Sequence, residues 1–354
     1  AWRKLSRRYG ARLVYTPMIN AKMFADAKHK HYREVRFNTA HGEEGGPEDR
    51  PLIIQFCANN PDHLLTSAKA LETYCDAVDI NLGCPQDITK KGHYGSFLQD
   101  EWDLIHDLSD RHRHKNLSIR VTAKFRAFPT VEKTVAYAKM LEHAGAQMLR
   151  CHGRTREQRG HRSGVADWEK NRAVKNAVSV PVVANGNMLF HGDVERCLAA
   201  TGADAVMSAE GNLYNPAIFT PAQPSASTST TASPIAKYLT GLHPRSTILA
   251  SEYLTIVREQ KTPTAPSAVK GHLFKLLRTA PAKHTDLRER MGRVRVEKDE
   301  RTWDGTFEQY EEIVRELDAR LDVSAHAAPC LESSRRTHLD TATSFPILPH
   351  WLVC

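Results

Sequence analysis

The sequence predicts an α/β fold: a TIM (β/α)₈ barrel whose first strand is absent, followed by a small all-helical domain. Three observations predict it. Over residues 1–219, β-rich runs alternate with amphipathic helical segments, which argues for parallel strands joined by helical crossovers. Polar residues gather just past the ends of those runs, where the chemistry of such barrels gathers. Beyond a low-complexity stretch the apolar periodicity is helical only.

Taken in order, the opening AWRKLSRRYG reads as a helix ending at Gly10, with no strand before it. Short apolar or β-branched runs follow at residues 13–15, 52–56, 77–80, 119–123, 147–151, 180–184 and 205–208. They are one short of the eight that close a barrel, and such a gap would leave two strand edges exposed. Between the strands, residues 63–74 place Leu64, Ala68 and Leu71 on one side of a helix, and residues 131–145 do the same with Val135, Ala138 and Leu141. Gly10, Gly145 and Gly202 each follow a helical pattern, where a left-handed cap is wanted. The barrel is expected over 1–219 and a flexible linker over 220–239, where TPAQPSASTSTTASP is low in complexity. Helical segments at 246–260, 267–279 and 307–321 mark a second domain over 240–322. Residues 323–354, without periodicity, read as a disordered tail.

With 354 residues, 41% of them hydrophobic, the chain can bury a large core. Its formal charge of +8 favours a polyanionic partner. The seven Cys are odd in number and no pair has metal-ligand spacing, so a reduced intracellular protein, cytoplasmic or nuclear and without a metal, is expected. No apolar run reaches the length of a membrane span and no signal peptide opens the sequence.

The most informative stretch is Asp79-Ile80-Asn81-Leu82-Gly83-Cys84-Pro85-Gln86, a strand that runs into a tight turn bearing one thiol. A positioned thiol can attack or give a proton. No His, Lys or Arg lies directly beside Cys84 to generate a thiolate, so it reads as a proton donor. Cys57, Cys75, Cys151 and Cys197 read as small core residues. The stretch 90–98, with Lys90, Lys91 and His93, reads as a basic loop over an anionic substrate. The other strand ends supply Thr16-Pro17-Met18, Gln55, Lys124 and Arg126, His152 and Arg154, Asn185-Gly186-Asn187, and Ala209-Glu210. The last two groups are small-residue turns of a kind that suits a phosphate, though such a turn also serves as no more than a turn. Lys124 could hold an electron-rich ring in its reduced, anionic form, or be a solvated rim lysine. Gln55 matches an imide edge, but a buried amide satisfied by backbone looks the same. His152 is a ligand-facing or a structural histidine. Lys270, His272, Lys275 and Arg278 share one helical segment, and residues 111–115 (RHRHK) form a second basic cluster; either could be a solvated face.

These residues carry a resemblance. NLGCPQ with KKGHYGSFLQDEWDL, TAKFR, HGRTREQRG, ANGN, DVERCL and VMSAEGNLYNPAIF is similar to the tRNA-dihydrouridine synthases, in the eukaryotic branch acting on D-loop uridines 16 and 17. SEYLTIVRE and PSAVKGHLFKLL extend it more faintly into the helical region. The resemblance implies an FMN-binding barrel and a tRNA-binding helical domain. It implies reduction of the uridine C5–C6 double bond with NADPH or NADH as the electron source, in a monomer without an obligatory protein partner. It makes Cys84 the general acid at C5. Gln55, Lys124, His152, Asn185, Gly186, Asn187, Ala209 and Glu210 become FMN ligands, and Asn81 and Arg154 help position the uracil. Lys90, Lys91 and His93 are candidate grips on the RNA. Family members begin with a strand ending in Ala-Pro-Met, which this sequence lacks, so a catalytically inactive tRNA-binding remnant is one alternative. Another is an FMN barrel oxidoreductase acting on a free pyrimidine.

Overall fold

The structure is a computed structural model that describes residues 1–110, 117–160, 163–220, 244–278, 283–295 and 306–327, with the side chains of 324–327 left aside. Most of the expected linker, the tail beyond 327 and the basic cluster at 111–115 lie outside the described residues. Two compact units result. One spans Arg12–Ala209; the other joins Ala1–Ala11 to the described residues from Glu210 onward. This division falls at Glu210 rather than after 219, and it assigns the opening helix to the helical unit.

In the α/β unit the strands are β1 (Val14–Tyr15), β2 (Ile19–Asn20), β3 (Leu52–Cys57), β4 (Ala77–Leu82), β5 (Arg120–Arg126), β6 (Leu149–His152), β7 (Val182–Asn185) and β8 (Ala205–Met207). All pairings are parallel. β1 and β2 pair with the start and end of β3, and the order then runs β3-β4-β5-β6-β7-β8. Among the described residues no ladder joins β8 to β1, so the sheet is an open half-barrel. The seven expected runs all appear. Only β2 was unforeseen, because two residues after Thr16-Pro17-Met18 leave no periodicity to read.

Central strands are buried on both faces and therefore read as continuous apolar runs: every residue of β3 is buried. Numbered through the chain, the helices are α1 (Trp2–Arg8), of the helical unit, and, within the α/β unit, α2 (Ala21–Ala25), α3 (Lys30–Arg36), α4 (Pro61–Leu71), α5 (Asp87–Gly92), α6 (Trp102–Ser109), α7 (Val131–Ala144), α8 (Trp168–Ala177) and α9 (His191–Thr201). Asn60, Thr130 and Asp167 cap α4, α7 and α8 with side-chain oxygens. Gly145 and Gly202 end α7 and α9 in the left-handed conformation, as the sequence predicts.

The helical unit holds α1, α10 (Glu210–Tyr214), α11 (Ser246–Glu259), α12 (Pro266–Leu276), α13 (Thr285–Arg293) and α14 (Thr306–Ala327). Leu249, Tyr253, Leu273, Leu287, Met291, Tyr310 and Leu317 form its core, and Leu5 of α1 is wholly buried among them. Residues 323–327, expected in the tail, continue α14.

Candidate active site

Register brings the polar residues together. Gln55 lies opposite Asp79, Asp79 opposite Thr122, Asn81 opposite Lys124 and Lys124 opposite Arg150. Further on, Arg126 lies opposite His152, and His152 opposite Asn185. Paired residues of adjacent strands share a face and alternate residues return to it. Gln55, Asp79, Asn81, Lys124, Arg126, His152 and Asn185 therefore line one face near the strands' C-terminal ends.

Cys84 sits on the turn after β4, half-buried, with its backbone held on both sides. Its N–H donates to Asn81 Oδ1 at 2.9 Å, and the neighbouring Gly83 N–H to the same oxygen at 3.0 Å. Its carbonyl accepts from Thr89 Oγ1 (3.0 Å), Ser96 Oγ (3.0 Å) and Ser96 N (3.1 Å). Gly95, at φ +62°, passes so close that a β-carbon would lie 2.6 Å from the Cys84 carbonyl oxygen. The other described cysteines are buried, which pushes Cys57, Cys75 and Cys151 up to about 12 and Cys197 to about 11. They are inert thiols. Cys84 alone among the described cysteines reaches the surface.

The Lys124 ammonium makes no hydrogen bond or ion pair with any described residue. Burial and then the Arg126 charge push its ammonium down to about 8, while Asp79, Cys151 and Cys84 pull it up. His152 is driven down to about 2 by burial and by Lys124, Arg126 and Arg154, so its ring is neutral. The Arg154 N–H donates to His152 Nδ1 at 3.1 Å, which leaves the ring proton on Nε2. Gln55 donates from Nε2 to Asp79 at 2.7 Å and accepts from Asn81 Nδ2 at 2.8 Å. Asp79 and Arg150 form a wholly buried ion pair, with Arg150 stacked 4.2 Å from the Tyr15 ring. Burial pushes Asp79 up and Arg150 down, but the guanidinium in direct contact keeps its proton and holds Asp79 ionised.

The remaining expected residues are engaged in holding loops. Asn185 donates to the Met207 carbonyl (2.9 Å) and ties β7 to β8. Gly186 (φ +112°) and Asn187 (φ +63°) make a left-handed turn, and a β-carbon on Gly186 would lie 2.5 Å from Ala166 Cβ. The Asn187 amide grips both backbone groups of Ala166 and accepts from Arg154 at 2.9 Å. Arg154 also donates to the Ser163 and Gly164 carbonyls, so it fastens the loop after β6. Ala209 ends the α/β unit. Glu210 begins α10 in the helical unit, accepting from Tyr214 Oη at 2.7 Å. The stretch read as a basic loop is corrected in part: residues 87–92 are α5, whose Lys90 and Lys91 are exposed, and His93 caps it in a left-handed conformation while contacting Glu101 at 2.7 Å. The Thr89 and Lys90 N–H groups bond back to the Gln86 carbonyl of the turn, and those of His93 and Tyr94 close the helix end on the Lys90 and Thr89 carbonyls.

Sequence reasoning missed how the loops are clamped. Arg126 donates to the carbonyls of Gly83 (2.9 Å), Thr155 (2.9 Å) and Gln158 (3.0 Å), bridging the Cys84 turn and the loop after β6. Arg159 reaches Pro85 O at 2.7 Å and Arg156 reaches Ser96 O at 3.3 Å. A signal for the buried pair existed, since Asp79 and Arg150 are single charges inside apolar runs. None existed for the clamps, because surface and clamping arginines look alike in sequence.

A family model described as dihydrouridine synthase matches residues 1–315. The chain belongs to the dihydrouridine synthase family. It is 46% identical over 331 residues to a tRNA-dihydrouridine(16/17) synthase of Saccharomyces cerevisiae, covering 92% of this chain and 73% of that one. Against the Schizosaccharomyces pombe tRNA-dihydrouridine(16/17) synthase it is 44% identical over 358 residues, covering 99% and 83%. A mouse tRNA-dihydrouridine(20a/20b) synthase-like protein is 35% identical over 221 residues, covering 62% and 65%.

In this dihydrouridine synthase family member the basic segment of the helical unit is only partly free. Lys270 donates to the Gly292 (2.9 Å) and Val294 (2.6 Å) carbonyls and caps α13. His272 is pushed down to about 4 by burial; it bonds Tyr253 Oη at 2.6 Å and packs on Trp2. Lys275 and Arg278 are exposed and lie over the Tyr214 ring at 5.6 and 4.7 Å. Among the described residues no metal-binding cluster occurs and no helix is long and apolar enough to cross a membrane.

Proposed function

We propose that the chain reduces the C5–C6 double bond of D-loop uridine in tRNA to dihydrouridine, with FMN as cofactor, NADPH or NADH as electron source, and Cys84 as general acid. The observation that carries this reading is Cys84 on a locked turn, held by Asn81, which pairs with Lys124 on the neighbouring strand and shares a face with neutral His152. The residues fit a flavin. The Lys124 ammonium, without a partner among the described residues, an Nε2–H donor on His152, and a Gln55 amide with one N–H and one lone pair left over are groups that a polar heterocycle would satisfy. Asn185, Gly186, Asn187 and Ala209 are the proposed phosphate side.

Held by Lys124, His152 and Gln55, a reduced flavin would supply the hydride equivalent needed at C6 of the uracil. The Cys84 S–H bond breaks as its proton goes to C5, leaving a thiolate. Asn81 and Arg126 hold the turn so that the sulfur keeps its height while the proton leaves. The base must first be extruded from the folded RNA, which costs a few kcal/mol and needs a grip on the backbone. Lys90 and Lys91 near the thiol, and Lys275 and Arg278 in the helical unit, are the exposed cations suited to that grip.

The test is Cys84→Ala. Flavin absorbance should persist while dihydrouridine formation in unmodified tRNA falls about 10²-fold or more. Undiminished turnover would end the general-acid assignment. Reduction of free uracil without RNA would favour an oxidoreductase of free pyrimidines.

A further inference from the structure

We propose that Asp79 is a positioning residue for the Cys84 turn, acting through Gln55 and Asn81. The inference rests on the reading of Cys84 as the general acid. Asp79 is completely buried, and its Oδ1 accepts from Thr122 Oγ1 at 3.0 Å and from the Arg150 guanidinium. Its Oδ2 accepts from Gln55 Nε2 at 2.7 Å. An ionised carboxylate only accepts, so Gln55 must turn its NH₂ toward Asp79 and its oxygen away. That oxygen accepts from Asn81 Nδ2 at 2.8 Å. Asn81 must therefore turn its own oxygen outward, where it receives the N–H groups of Gly83 and Cys84 at 3.0 and 2.9 Å. An isolated amide can flip; these two cannot, because each orientation is dictated by the one before it. The polarity of the chain is set at its buried end, and its free end holds the backbone nitrogen of the thiol-bearing residue. Arg150, itself completely buried, supplies the charge that makes a buried carboxylate tolerable.

Asp79→Asn reverses this polarity. Arg150, which can only donate, still requires an oxygen, so the new NH₂ faces Gln55. Gln55 and then Asn81 must flip, and Asn81 ends with an NH₂ against two N–H groups. Hydrogen exchange followed by mass spectrometry on the whole chain should show amides 83 and 84 exchanging about tenfold faster, as losing about one hydrogen bond implies, with α7 unchanged. Dihydrouridine kcat should fall by about tenfold with KM for tRNA within about twofold, since the turn and not the RNA grip is altered. Adding Gln55→Glu restores the donor–acceptor order, because the carboxylate introduced there accepts both from the substituted amide in strand β4 and from Asn81. The double variant should regain protection at 83 and 84, a readout independent of flavin contacts. Should Asp79→Asn fail to fold, Asn81→Ala, at a half-exposed position, must give the same local loss of protection. The proposal is overturned if exchange at 83 and 84 stays at the wild-type rate in both single variants, if it rises equally throughout the unit, or if Gln55→Glu restores nothing. Full activity of Cys84→Ala would instead remove the general-acid reading and leave the exchange result standing.

Discussion

Lys124→Met sets stability against function most directly. Lys124 carries a charge with no ion-pair partner among the described residues, and burial and Arg126 bring it from 10.5 to about 8. That shift corresponds to about 3 kcal/mol of native-state destabilisation at neutral pH, at about 1.4 kcal/mol per pKa unit. A lysine depressed in the native state binds fewer protons than in the unfolded state between the two pKa values. Stability therefore rises with pH through that window, from about 8 to 10.5. Methionine fills a similar volume without the charge. Flavin-free Lys124→Met should be more stable than the parent by up to about 3 kcal/mol at pH 7, and the difference should shrink toward zero by pH 10.5. Urea unfolding of both proteins across that range measures it. The same variant should bind FMN more weakly and lose dihydrouridine formation, because the cation that burial makes costly is the one proposed to meet the flavin. A variant less stable than the parent at pH 7, or a gap constant with pH, would refute the placement of an uncompensated charge at this position.

Other consequences can be measured separately. Cys84→Ala separates flavin binding from turnover, as set out above. Arg126→Lys keeps the charge but cannot span the Gly83, Thr155 and Gln158 carbonyls, so proteolysis of the loop after β6 should accelerate and kcat should fall. In the wild type, turnover should decline as pH rises through about 8, when Lys124 loses its proton; the decline should be absent from residual Lys124→Met activity. Lys270→Met removes the cap on the Gly292 and Val294 carbonyls and should cost the helical unit about 1 kcal/mol by chemical denaturation, leaving FMN absorbance unchanged.

How much was legible can be argued from particular residues. The strands could be read because a strand buried on both faces must be apolar along its length, as Leu52–Cys57 is. Cys84 could be read because the turn that presents it is written locally, between Gly83 and Pro85. Gly145 and Gly202 could be read because a left-handed cap is a property of one residue. The role of Arg154 could not. It points to the Ser163 and Gly164 carbonyls and to Asn187, a pairing fixed only once β6 and β7 lie side by side.

The sequence by itself determined where the seven longer strand runs and the main helices lie and which thiol is presented, since periodicity, caps and turns act over a few residues. Tertiary structure decided which polar groups are free to meet a ligand and which hold the scaffold. It left the Lys124 ammonium without a partner among the described residues, joined Asp79 to Arg150 across β5, engaged Lys270 as a cap, and placed Leu5 in the core of the helical unit. Those outcomes depend on strand register and packing between residues far apart in the chain, and no local pattern encodes them.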